Sequence, residues 1–220
     1  MFDKNLLEGK RILVTGGGSG LGKEMSRHFL TYGAEVIICG RRDEVLQKTA
    51  KELNDETKGK ITAHSLDIRD SLAIEETINN VFDEGPLDGL VNNAAGNFIS
   101  RTNDLSPNGF NAIASIVFHG TFNMTNTVGK KWIELKQPGT ILSITTTWVW
   151  TGSPFVVPSA MSKSGINAMT KSLAVEWGPH NIRLNCIAPG PFPTEGAWSR
   201  LSPDTCLLYT SPSPRDQRGS

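Results

Sequence analysis

The sequence predicts an α/β chain built on a doubly wound parallel sheet, with helices covering both faces in three αβα layers. Two observations carry this. Apolar runs of strand length alternate with segments of helical period along nearly the whole chain. A glycine cluster, Thr15-Gly16-Gly17-Gly18-Ser19-Gly20-Leu21-Gly22, stands where the first strand would hand over to the first helix. Taken in order, the expected strands are Arg11–Val14, Glu35–Cys39, Lys60–His64, Leu87–Val91, Thr140–Ile144 and Ile182–Ile187. The segments between them are long enough for the crossovers that parallel strands need. The first helix, Leu21–Tyr32, carries Leu21, Met25, Phe29 and Leu30 on one stripe. The second, Asp43–Leu53, opens with acids that suit a helix N-terminus. Ser71 is expected to cap the third helix, which runs to Phe82. Ser106-Pro107 puts proline just inside the start of a long fourth helix ending near Gln137. A fifth runs from about Pro158 to Trp177, where Gly178-Pro179 stops it.

Composition narrows the function classes. The chain has 220 residues, 22 basic and 22 acidic side chains, a formal net charge of zero and 38% hydrophobic residues. A zero net charge gives no electrostatic footprint for nucleic acid or an anionic membrane surface, so neither is an expected partner. The longest apolar stretches, such as Val36–Cys39, are far short of the roughly 20 residues of a membrane-spanning helix. The polar start Met1-Phe2-Asp3-Lys4-Asn5 does not read as a secretory signal, and a cytoplasmic protein is expected. Cys39, Cys186 and Cys206 are odd in number and lack metal-ligand spacing, which argues against a disulfide framework and a zinc site. No metal is expected, and Cys39 and Cys186 read as reduced, buried thiols.

The last residues read differently. From about Ser202 the chain is broken by prolines and has no periodicity. Natural disorder is one reading. A sharper one is that Cys206-Leu207-Leu208-Tyr209-Thr210-Ser211 translates TGT-CTC-TTA-TAC-ACA-TCT and Pro212–Asp216 matches CCG-AGC-CCA-CGA-GAC, as a transposon sequencing adapter would in frame. The expectation is one domain over residues 1–204, incomplete at its C-terminus, and a non-native disordered tail over 205–220.

The glycine cluster has the chemistry of a Rossmann-type dinucleotide loop. Gly16, Gly20 and Gly22 lack Cβ atoms, so the chain can turn sharply and approach a pyrophosphate, while the helix start offers unpaired N–H groups to the anion. Thr15, Gly18, Ser19 and Leu21 complete the loop. An acid at the end of the second strand would bind a ribose 2′-hydroxyl, yet the strand ends Cys39-Gly40-Arg41-Arg42. Two guanidinium groups there favour a 2′-phosphate, hence NADP(H). Asp43 comes later and suits the next helix start.

With these residues in view, the chain resembles the short-chain dehydrogenase/reductase family over residues 8–201. Beside the glycine loop stand Asp67 in Leu66-Asp67-Ile68, then Asn92-Asn93-Ala94-Ala95-Gly96 after the fourth strand, and Asn185-Cys186-Ile187-Ala188-Pro189-Gly190 after the sixth. The resemblance implies that Asp67 touches the adenine, that Asn93 and Ala94 support the cleft, and that Pro189, Gly190 and Thr194 receive the nicotinamide end. Within the family the chain is most similar to 2,4-dienoyl-CoA reductases, in Asn92–Ser100, Ser143-Ile144-Thr145-Thr146, Phe155–Ala160 and Gly196-Ala197-Trp198-Ser199-Arg200-Leu201. That likeness implies an unsaturated acyl-CoA substrate. Most members carry Tyr-x-x-x-Lys; dienoyl-CoA reductases have serine in the first place, matched here by Ser159 and Lys163. Four residues apart on a helix, these two share a face.

Two departures matter. Where mitochondrial-type relatives place a tyrosine and an asparagine on the thioester oxygen, this chain aligns Trp148 and His119. Its two tyrosines are Tyr32, in the first helix, and Tyr209, in the tail. Conjugate reduction tolerates the loss, because hydride addition to a dienoyl thioester sends negative charge to an oxygen that needs a hydrogen-bond donor rather than a proton. The indole N–H of Trp148 or the ring of His119 could serve, with water or His119 protonating carbon afterwards. An aromatic wall for Trp148 and a satisfied core histidine for His119 stay open as alternatives. Phe98, Ile99, Trp150 and Phe155 follow strands and are expected to line an acyl tunnel, and the resemblance places Arg200 against coenzyme A. Two rivals stand beside this reading: a short-chain reductase of another carbonyl, and a catalytically silent dinucleotide-binding protein. Relatives add a seventh strand and helix, so a chain lacking them would expose Ile182–Ile187 as an apolar edge and be less stable than its parent. Relatives also form dimers or tetramers, and a homo-oligomer is expected of the full-length protein.

Overall fold

The computed structural model describes residues 2–190. Six strands, β1 (Arg11–Thr15), β2 (Glu35–Gly40), β3 (Ile61–Ser65), β4 (Gly89–Asn92), β5 (Gly139–Ile144) and β6 (Ile182–Ile187), form one sheet in the order β3-β2-β1-β4-β5-β6. Every pairing is parallel. This is the doubly wound, Rossmann-like α/β sheet that the alternation of strands and helices predicts. The helices are α1 (Gly20–Thr31), α2 (Asp43–Thr57), α3 (Ser71–Asp83), α4 (Pro107–Ala114), α5 (Thr121–Glu134), α6 (Trp148–Thr151) and α7 (Val157–Glu176).

The strands are apolar without a break because the sheet is covered on both faces. On one side Ile12, Val14, Val36 and Ile38 meet Leu30 of α1 and Leu46 and Leu53 of α2. On the other Leu13, Ile37, Leu90 and Ile141 meet Ile74, Ile78 and Val81 of α3 and Met124, Val128 and Trp132 of α5. Leu13 is fully buried, so truncation to alanine would cost about 2–5 kcal/mol. A third cluster, Ile113, Val117 and Ile166, joins α4 to α7. At the N-terminal end of the sheet Arg11 is tied to Glu35 at 2.9 Å, Glu84 at 3.2 Å, and the carbonyls of Val81 and Gly85 at 3.0 and 2.6 Å.

Several local expectations need correction. Asp70, not Ser71, caps α3: one carboxylate oxygen accepts the N–H groups of Leu72 and Ala73 at 3.0 and 3.1 Å, leaving Ser71 as the first helical residue. The cap at Ser106 stands, its hydroxyl accepting from Gly109 N at 3.0 Å with Pro107 inside the first turn. The long fourth helix is interrupted by a π turn over Ser115–Gly120 and ends at Glu134. The strand expected from Leu87 starts two residues later; the Leu87 carbonyl instead accepts the Trp132 indole N–H at 2.6 Å. Cys39 is fully buried, and burial pushes its thiol up to about 12. Cys186 is only half-buried. The tail boundary at residue 204 falls outside the described residues. Among those described, no helix is long and apolar enough to cross a membrane, and no group of acids, histidines and cysteines could hold a metal ion.

Candidate functional site

The order of the strands reverses at β1, whose neighbours β2 and β4 carry the chain in opposite directions across the sheet. A crevice opens at such a point, outside the carboxyl ends of the strands. Thr15 closes β1 there and is buried. Its hydroxyl oxygen accepts the N–H groups of Asn93 at 3.0 Å and Ala94 at 2.9 Å, and donates to the Val91 carbonyl at 3.4 Å. The Asn93 amide donates back to the carbonyls of Thr15 at 2.9 Å and Gly16 at 3.3 Å. Asn93 and Ala94, the residues expected to support the cleft, thus clamp the start of the glycine loop.

Gly16 and Gly22 show what glycine does in that loop. Gly16 turns with φ +68°, and a Cβ on Gly22 would stand 2.3 Å from the Gly16 carbonyl oxygen, so α1 can start only this close to β1 without a side chain. Ser19 precedes the helix without a side-chain cap, and no acid occupies the first turn. The helix start is thus left with unpaired amides and its positive dipole end, a donor set that fits a pyrophosphate. The Gly18 carbonyl is held by the Thr49 hydroxyl at 2.9 Å, which fixes the loop against α2.

At the carboxyl ends of β2 and β3, Arg41 and Arg42 are both exposed at the start of α2. Asp67 follows β3 on the neighbouring strand, and its carboxyl is chelated by Arg69, whose Nε lies 2.9 Å from each oxygen and whose Nη2 and backbone N–H also bind it. That bonding holds Asp67 below the usual carboxylate range, with Arg41 adding its field.

Lys163 is 7% exposed on α7, and Ser159 lies one turn earlier on the same buried face. The Lys163 ammonium donates to the Ile144 carbonyl at the end of β5. Burial lowers its pKa from 10.5 to about 8, opposed by the nearby Cys186 thiol. Thr145 ties the ends of β5 and β6 together, its hydroxyl donating to the Ile187 carbonyl at 3.0 Å.

The remaining expected residues are more dispersed. His119 is exposed on the π turn, its ring edge-on to Phe118 with centroids 5.4 Å apart, so the core-histidine alternative is excluded. Trp148 opens α6, a helix of four residues absent from the sequence reading, and is half-buried. Phe98 packs against the Ile113, Val117 and Ile166 cluster. Phe155 is 36% exposed and holds φ +65°, and its carbonyl accepts Ser100 N at 3.0 Å, so the loops after β4 and α6 are stitched together. Trp150 is 66% exposed. Pro189 and Gly190 follow β6; Thr194 and Arg200 lie outside the described residues. One residue escaped sequence reasoning: Asn97, on the loop after β4, has a buried Oδ1 without a hydrogen-bond partner. Such a buried orphan calls for an explanation, and the signal in the sequence was its place inside the Asn92–Ser100 segment, directly before Phe98.

Comparison with known proteins gives a consistent picture. The chain is 46% identical over 198 residues to a (3E)-enoyl-CoA-producing protein of Caenorhabditis elegans named probable 2,4-dienoyl-CoA reductase 3, covering 89% of this chain. It spans 63–64% of the length of the worm relatives it matches. A short chain dehydrogenase from Bacillus anthracis superposes with a TM-score of 0.81 at 43% identity, covering 84% of this chain and 75% of that one. An actinorhodin polyketide ketoreductase solved with NADPH superposes with a TM-score of 0.84 at 29% identity, covering 94% and 79%. The family model described as short chain dehydrogenase matches residues 10–204. That span takes in the sheet, the glycine loop and the lysine helix together, and the chain belongs to the short chain dehydrogenase family.

Proposed function

We propose that the protein is an oxidoreductase that uses NADPH to reduce 2,4-dienoyl-CoA or a related enoyl-CoA thioester, as fatty-acid β-oxidation requires when conjugated double bonds obstruct it. The observation that carries this reading is a buried lysine, one helical turn from a serine rather than a tyrosine, at the crest that holds the glycine loop. Bound NADPH would supply a hydride. The α1 start, with Gly16, Gly18, Ser19, Gly20, Leu21 and Gly22, binds the pyrophosphate. Arg41 and Arg42 take the 2′-phosphate, Asp67 the adenine side, and Pro189, Gly190 and Thr194 the nicotinamide end. Lys163, beside Ser159, holds the nicotinamide ribose through its ammonium.

Carbonyl reduction needs an acid that gives its proton to oxygen, and no phenol stands on α7 to do so. Conjugate reduction asks less: a donor aimed at the thioester oxygen, each one worth about 100- to 1000-fold in rate. The Nδ2 amino group of Asn97, rather than its orphaned Oδ1, or the indole N–H of Trp148 would be that donor. Exposed His119, or water in its place, returns a proton to carbon. Phe98 and Phe155 flank the acyl chain, and Arg200 meets coenzyme A. A homo-oligomer in the cytoplasm completes the proposal. The test is NADPH oxidation by the complete gene product with 2,4-hexadienoyl-CoA against a panel of ketones. Faster turnover of the thioester is expected; NADPH binding without oxidation by any acyl-CoA would sink the reading.

A further inference from the structure

The end of β2 and the end of β3 are neighbours. Gly40 pairs with Ser65, and Leu66 N donates to the Gly40 carbonyl at 2.8 Å. Arg41 and Asp67 therefore leave adjacent strand ends, with opposite charges and no other element between them in the register. Left alone, the two would pair, or Asp67 would present its charge to whatever anion Arg41 attracts. Neither occurs. Arg41 makes no ion pair among the described residues, because Asp67 is already taken from the other side by Arg69, through both carboxylate oxygens and its own backbone N–H.

We propose that Arg69 is a positioning residue for coenzyme choice: by chelating Asp67 it neutralises that carboxylate and keeps it off Arg41, leaving the Arg41 guanidinium free for a ribose 2′-phosphate. The inference rests on the NADPH reading above and deepens it. Sequence logic placed coenzyme choice in the arginine pair after β2. In the structure a third arginine, after the neighbouring strand, holds the acid that leaves that strand end. Arg69 acts through Asp67 and does not itself contact the coenzyme, so the effect belongs to a pair of residues and should vanish when the acid is removed.

The experiment measures binding of 2′,5′-ADP and 5′-AMP by calorimetry, which requires no turnover, and repeats the comparison as KM for NADPH and NADH. Wild type should bind 2′,5′-ADP at least about tenfold more tightly than 5′-AMP. Arg69→Gln should narrow that ratio by about tenfold, chiefly by weakening 2′,5′-ADP, while Arg69→Lys should retain part of it. The double variant R69Q/D67N should recover the wild-type ratio, a result no loss of folding could mimic. Arg69 is exposed, and unchanged melting of R69Q checks that the fold is intact. If R69Q keeps the ratio within about twofold, or if D67N does not restore it, the positioning role is overturned while the NADPH reading stands. If wild type itself fails to prefer the 2′-phosphate, the NADPH reading fails and this inference with it.

Discussion

Burial of Lys163 should leave a mark on stability that can be read with pH. Its pKa falls from 10.5 to about 8, chiefly through desolvation, a gap worth about 3 kcal/mol. Below pH 8 the folded and unfolded chains both carry the proton, and the full cost of burying the ammonium is present. Between 8 and 10.5 the folded chain has released the proton and the unfolded chain has not, so stability climbs with pH; above 10.5 the cost is gone. Lys163→Met keeps the apolar stem and removes the amine, so every other titrating group cancels between the two proteins. The variant also leaves the Ile144 carbonyl without its donor, an offset of about 1–3 kcal/mol that shifts the curve and not its slope. Urea unfolding of coenzyme-free wild type and K163M, from neutral pH to pH 10.5, should show the difference moving by about 3 kcal/mol in favour of wild type. In melting temperature that is about 6–12 °C. Parallel profiles for the two proteins would refute the burial account.

Other perturbations bear on the same site. If the Lys163 ammonium holds the nicotinamide ribose as proposed, that charge is lost above about pH 8 in the free enzyme, and log kcat/KM should decline above that pH in steady-state assays and be flat below it. Gly22→Ala would bring a methyl to 2.3 Å from the Gly16 carbonyl and 2.6 Å from the Asn93 amide. A stability loss of about 1–3 kcal/mol is expected by denaturation, with NADPH affinity down at least about tenfold by fluorescence titration. Arg11→Met, at the opposite end of the sheet, leaves the Val81 and Gly85 carbonyls without this donor and Glu35 with Lys60 alone; it should cost about 1–3 kcal/mol in unfolding assays and leave kcat alone. Asn97→Ala should slow turnover about 100-fold, whereas His119→Ala, where solvent reaches the ring, should cost less than about tenfold.

The sheet was legible because strands such as Val36–Cys39, buried on both faces, leave uninterrupted apolar runs. The nucleotide loop was legible because its glycines stand between a strand and a helix. Asp70 and Ser71 are adjacent cap formers, and only the carboxylate's reach to two amides decides between them. The π turn at Ser115–Gly120 adds a residue to one turn without altering composition, and the apolar pattern on either side hides it. Four residues at Trp148–Thr151 are too few for any period to register. The chelation of Asp67 by Arg69 and the depth of Lys163 come from tertiary placement, which spacing along the chain does not encode.

The Thr15 hydroxyl receives two amides from the segment after β4 while its own backbone begins the glycine loop. One hydroxyl thus rivets two segments together across the sheet end, and neither can shift without giving up two bonds in a buried place, where each bond left unmade costs about 1–3 kcal/mol.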